Sequence, residues 1–196
     1  MPVEPKSYPL EGKLKSITDK TLQQHRDVLY KGYVTNYNKV QDAIAKADPA
    51  TANPHFSDFS EAKRREAWTH NGTILHDWYF ENLGGGSAPG AKTKALIERD
   101  YGTHDKFVEH VTATGKATGV GWAVWAWSIL DNKTHVYALD EHQNNCPIGV
   151  IPLLILDVFE HAYYGDRFTD RPSYIKDFWS DVNWDAVEKR AGMIPG

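Results

Sequence analysis

The strongest constraint on this chain is an apolar run that ends in a carboxylate. Ile151-Pro152-Leu153-Leu154-Ile155-Leu156 leads directly into Asp157-Val158-Phe159-Glu160-His161-Ala162-Tyr163-Tyr164. A short run of branched apolar residues bounded by turn signals reads as a buried strand. A carboxylate at the end of such a strand is costly unless something positive pairs with it. His161 follows four residues on, with Glu160 beside it. An oxygen donor and an imidazole nitrogen at the mouth of a strand suit a first-row metal ion. The plainer alternative is an Asp that caps the next helix, with His161 in its first turn. Spacing alone leaves both open.

The rest of the chain reads as two halves. Residues 1–17 are Pro-rich and irregular. Thr18 and Asp19 are cap residues for a helix from about Lys20, which places Leu22, His25, Leu29, Tyr33 and Val40 on one face. The turn-rich stretch 48–58 leads to a second helix, starting near Phe59 or Ser60, that carries Trp68, Gly72, His76, Trp78 and Tyr79. The helical text stops at Leu83, and Gly84-Gly85-Gly86-Ser87-Ala88-Pro89-Gly90 reads as a loop between domains. It lacks the spacing of a phosphate-binding loop. Two short helices follow, over residues 91–102 and 104–119. A Trp-rich strand over 119–130 then turns at Asp131-Asn132-Lys133 into a second strand, Thr134–Leu139. The third strand is the one that ends at Asp157. The expected fold is α+β: a helical hairpin domain over 1–88, then an α/β domain over 89–196 with a three-stranded antiparallel sheet and surrounding helices.

Bulk properties narrow the function. A net charge of −4 gives no electrostatic footprint for nucleic acid, and an anionic substrate would have to be drawn by local charge. The single cysteine, Cys146, excludes an intrachain disulfide and fits a reducing compartment. No basic neighbour activates it. The N-terminus shows no signal-peptide pattern, and no apolar run approaches the roughly 20 residues of a membrane span. The chain therefore reads as cytoplasmic, without a nucleic-acid or membrane partner.

DVFEHAYY resembles the D-x-[WF]-E-H-A-Y-Y signature of the iron/manganese superoxide dismutases, and the resemblance extends from about Lys13 to Arg190. The segment TLQQHRDVLYKGYV resembles that family's first-ligand helix, GTILHDWYFENL its second-ligand motif, GVGWAVW its G-x-G-W region, and RPSYI with WSDVNW its C-terminal helices. The resemblance implies four metal ligands, His25, His76, Asp157 and His161, holding one iron or manganese ion per subunit. It implies disproportionation of superoxide, the small-molecule substrate. Tyr33 becomes the tyrosine guarding the substrate funnel, and Trp122 a wall of the site. A loop residue becomes the hydrogen-bond donor to solvent at the metal, because Gly72 occupies the position that supplies a Gln in another branch; spacing to Pro152 favours His142, with Gln143 the close competitor. Glu160 would reach a partner's His161 and Tyr164 would lie at the same two-fold interface, in a homodimer or homotetramer. Leu29 and Tyr30 stand where the family usually carries two histidines, so the gateway is altered. A non-catalytic member of the fold that holds metal structurally is the alternative. Arg167 and Arg171 are candidates for steering an anion, or for ordinary salt bridges.

Overall fold

The structure, a computed structural model, describes residues 1–195. The side chain of Thr18 accepts from the backbone of Thr21 and starts α1, Asp19–Gln23. A π-helical segment, Gln24–Tyr30, continues directly into α2, Lys31–Lys46. This corrects the expectation of one regular helix. The wider turn carries an extra residue and rotates α2 by about 100° relative to an uninterrupted helix. Tyr30 and Val34 therefore go into the core at 1% and 2% exposure, while Leu29 and Val40 are only half-buried.

Helix α3, Asp58–Glu81, starts one residue earlier than expected, on a Ser57 cap that accepts from Ser60 N–H. It packs along α2 to complete a helical hairpin. Its C-terminal half is buried at Leu75, His76, Asp77, Tyr79 and Phe80. That is too wide an arc for an amphipathic surface helix, because this half lies between the π segment and the sheet. Gly84, Gly85 and Gly86 all have positive φ, and Gly85 N–H donates to the Asp181 carbonyl at 2.8 Å.

Helices α4, Ala91–Tyr101, and α5, His104–Ala117, precede the sheet. Its strands are β1, Gly121–Ser128, β2, Thr134–Asp140, and β3, Val150–Asp157, in the antiparallel order β2-β1-β3. All eight residues of the central strand β1 are buried, as befits a strand covered on both faces. Pro152 lies on the edge strand at a register shift opposite Ala126, where a missing N–H is tolerated. Gly121 has φ +156°, and a Cβ there would lie 1.9 Å from the Leu139 carbonyl oxygen, so only glycine fits. Helices α6, Glu160–Arg167, α7, Arg171–Asp181, and α8, Trp184–Ala191, close the fold. Fully buried rings, including Trp122, Trp125, Tyr79, Phe80, Phe107 and Tyr174, run through the core.

Candidate metal centre

Four elements converge on one point. His25 comes from the π segment, His76 from α3, Asp157 from the last position of β3, and His161 from the first turn of α6. One donor atom from each lies within 4.8 Å of all the others. Asp157 Oδ2 is 3.1 Å from His25 Nε2, 3.8 Å from His76 Nε2 and 3.3 Å from His161 Nε2. His25, His76 and Asp157 are fully buried. The capping alternative for Asp157 is also realised, on the other oxygen: Oδ1 accepts from Phe159 N–H at 2.9 Å and helps start α6.

The two buried imidazoles, His25 and His76, are poised as neutral donors. His76 Nδ1–H donates to the Gly72 carbonyl at 2.6 Å, which leaves the Nε2 lone pair facing the cluster. Burial pushes the His25 pKa down and the His76 pKa well down, so both stay uncharged. Burial alone would raise Asp157, but the surrounding histidines outweigh it and hold the carboxyl below its usual range. Neither ring nitrogen of His25 has a hydrogen-bond partner, although the residue is wholly buried. Its Nε2 approaches Asp157 closely but off hydrogen-bond geometry. An orphaned buried polar atom costs about 1–3 kcal/mol. A metal ion bonded to that nitrogen removes the deficit, so the residues fit the group. Three imidazole nitrogens and one carboxylate suit iron or manganese.

The wall of the site is aromatic. Tyr33 stacks on His76 with centroids 4.8 Å apart, and Trp122 meets the same ring edge-on at 4.9 Å. Strand register places Trp122 directly opposite Asp157. Trp122 Nε1–H donates to His142 Nδ1 at 3.1 Å. That assigns the proton of neutral His142 to Nε2, which donates to the Tyr33 hydroxyl oxygen at 2.7 Å. Burial pushes His142 down to about 4 and Tyr33 up to about 12, with Asp157 and Glu141 adding to the Tyr33 shift. Asn71 holds the loop from outside, donating to the His142 carbonyl at 2.9 Å. Gln143 instead turns its amide to Glu141, at 3.1 Å. Of the two loop residues, the structure brings His142 against Tyr33.

The remaining sequence-predicted residues lie outside this cluster. Glu160 and Tyr164 are about half exposed on α6, near exposed Phe168. Arg167 donates to the Lys15 and Ser16 carbonyls and pairs with Asp177. Arg171 donates to the Thr118 and Gly119 carbonyls and to the Tyr163 hydroxyl. Both guanidinium groups are engaged in holding the fold. Burial pushes the Cys146 thiol up, in line with an unreactive cysteine. Sequence reasoning missed the contacts that Tyr8 and Tyr30 make with Asp77 behind His25; the one signal was a carboxylate directly after His76.

Residues 89–190 match the family model described as iron/manganese superoxide dismutases, C-terminal domain. The chain belongs to the iron/manganese superoxide dismutase family. It is similar to the "Superoxide dismutase [Fe]" of Aquifex pyrophilus, 36% identical over 193 residues, which covers 96% of this chain and 90% of the relative. The "Superoxide dismutase [Mn]" of Mycolicibacterium smegmatis is 36% identical over 163 residues, covering 82% and 79%. The "Superoxide dismutase [Mn/Fe]" of Aeropyrum pernix is 32% identical over 173 residues, covering 86% and 78%. Among the described residues, no helix is long and apolar enough to cross a membrane. The stretch matched by the family model contains Asp157 and His161 of the four-donor cluster, and the relatives' names divide between the two metals.

Proposed function

We propose that this chain is a superoxide dismutase, converting two superoxide ions and two protons into dioxygen and hydrogen peroxide. His25, His76, Asp157 and His161 hold one iron or manganese ion. The observation that carries this reading is the convergence of four donors within 4.8 Å around a fully buried His25 with unpartnered ring nitrogens. Such an ion, when bound, supplies a redox couple that accepts an electron from one superoxide and returns it to the next. The protein's own residues do the rest. The Trp122–His142 contact leaves His142 one ring N–H, and Tyr33 receives it. The hydroxyl hydrogen of Tyr33 is then free to face the cluster, and a pKa pushed up to about 12 keeps it there at neutral pH. The aromatic wall of Tyr33, Trp122 and His142 keeps bulk water out and strengthens local electrostatics.

The reading extends to assembly. Glu160 and Tyr164 are exposed on the helix that carries His161, with exposed Phe168 against Tyr164, and an isologous contact there would cover them and bring Glu160 to the partner's ligand set. A dimer or tetramer, a cytoplasmic site of action, and a division into domains at 1–88 and 89–196 belong to the same proposal. The test is superoxide dismutation by metal-free protein refilled separately with iron and with manganese. Activity with one metal names the cofactor, and activity with both makes the enzyme tolerant of either. Full loading without activity in either form would refute the enzymatic reading.

A further inference from the structure

The two ligands from the helical half are held in register by a cluster that lies behind them. Tyr30, the last residue of the π segment, is 1% exposed, and its hydroxyl donates to Asp77 Oδ1 at 2.8 Å. Asp77 directly follows His76 on α3 and is itself buried. The irregular N-terminal segment closes the cluster from outside. Tyr8 donates its hydroxyl to Asp77 Oδ1, Lys6 pairs its ammonium with Oδ2, and Lys6 N–H donates to the Tyr30 hydroxyl oxygen at 3.0 Å. Arg26, next to His25, donates to the Tyr8 carbonyl at 2.7 Å. Phe80 sits at the centre, with centroids 4.9 Å from His25, 5.8 Å from Tyr30 and 5.7 Å from Tyr8.

The geometry gives this cluster a task. Positions 25 and 30 would point about 140° apart on a regular α-helix. The wider i→i+5 turn of the π segment brings them toward one face, where both meet Phe80. His25 has no hydrogen bond of its own to fix its ring. Its aim depends on the segment that carries it, and that segment is tied to the neighbour of His76 through the Tyr30 hydroxyl.

We propose that Tyr30 and Asp77 are positioning residues for the metal centre: their hydrogen bond sets the approach of His25 to His76, and the irregular N-terminal segment locks it through Lys6 and Tyr8. This role rests on the metal-centre reading. Removing the Tyr30 hydroxyl leaves Asp77 two partners, so the fold keeps its buried carboxylate satisfied while the π segment loses its tether.

The experiment compares metal-loaded wild type, Tyr30→Phe and Asp77→Asn, with Glu188→Gln as control. Glu188 caps α4 through Lys92 and Thr93, outside the ligand cluster. Three quantities are read: the rate of metal release to a chelator, the visible absorption of the bound metal, and the thermal midpoint. Both cluster variants are expected to release metal about tenfold faster, the lower end of what partners of metal ligands typically contribute, with a displaced absorption band. Glu188→Gln should lose stability with its band and release rate unchanged. Unchanged bands in both cluster variants, with release rising only in step with lost stability, would overturn the proposal while the metal centre stands. A wild type that retains no metal would overturn the metal-centre reading and this proposal together.

Discussion

Gly72→Ala separates helix propensity from the demands of the site, because the two predict opposite signs. Gly72 lies inside α3, where replacing glycine by alanine ordinarily stabilises by about 1 kcal/mol. Here the added Cβ would sit 2.5 and 2.7 Å from two ring carbons of Tyr33 and 3.3 Å from His142 Cδ2. Comfortable carbon contacts begin near about 3.5 Å, so the ring must recoil by about 1 Å. It has little room, being held between His76 at 4.8 Å and Trp68 at 5.2 Å. A recoil of about 1 Å carries the Tyr33–His142 contact beyond hydrogen-bond range. Overpacking costs about 1–3 kcal/mol and the lost hydrogen bond about 1 kcal/mol, against about 1 kcal/mol gained from propensity. The expected net effect is about 2 kcal/mol of destabilisation, or roughly 6 °C in the thermal midpoint for a chain of this size. Turnover should fall at least about tenfold, as for other groups that support a metal site from behind its ligands. Thermal unfolding and superoxide dismutation of the metal-loaded variant measure both. A variant as stable as wild type, or more so, with full activity would refute the claim that Tyr33 and His142 occupy the space over Gly72.

Trp122→Phe removes the N–H that assigns the His142 tautomer; nitrogen NMR of the ring should show loss of the single Nε2–H form, with activity reduced about tenfold. Leu29→His tests the gateway role that the family resemblance implies for this position: the pH profile of activity is expected to shift, and an unchanged profile would count against that role. Metal-free protein should lose stability as pH falls from about 6.5 toward about 4. His142 is held neutral in the folded state, so its contribution is complete above the unfolded value and is lost as protons bind the unfolded chain preferentially. The lowered values of His25 and His76 act in the same direction. Denaturant titrations across that range measure the slope, and a flat profile would refute the buried neutral assignments.

The sheet and half of the candidate ligand set, Asp157 and His161, were legible because their signals are local. Strand β3 announces itself as an apolar run between turn residues, and Asp157 and His161 follow at fixed offsets. Gly84–Gly90 marks the end of the first helical half by composition alone. His25 and His76 were legible only through resemblance, since a histidine on an apolar face is most often a packing residue. Spacing to Pro152 favoured His142 over Gln143 without deciding it, because the loop length varies and the outcome depends on how the loop folds back against Tyr33. The π segment was invisible. Nothing in QHRDVLY distinguishes it from an ordinary helix, and the expected burial of Leu29 in place of Tyr30 followed from counting at the α-helical period.

Counting at the α-helical period hides the back wall of the site. A regular helix leaves Tyr30 facing away from the ligands, and Asp77 then looks like an expensive carboxylate in a core helix. With one extra residue in the turn, the two costs cancel. Tyr30 enters the core with its hydroxyl bonded, and Asp77 gains the donors that a buried carboxylate requires. The irregular N-terminal segment over residues 1–10, whose one buried apolar residue is Leu10, supplies two of those donors through Lys6 and Tyr8. A local departure from helical period, a buried charge and a Pro-rich terminus each break a sequence rule when taken alone. Together they form one structure, and it sits directly behind the first two ligands of the proposed metal centre.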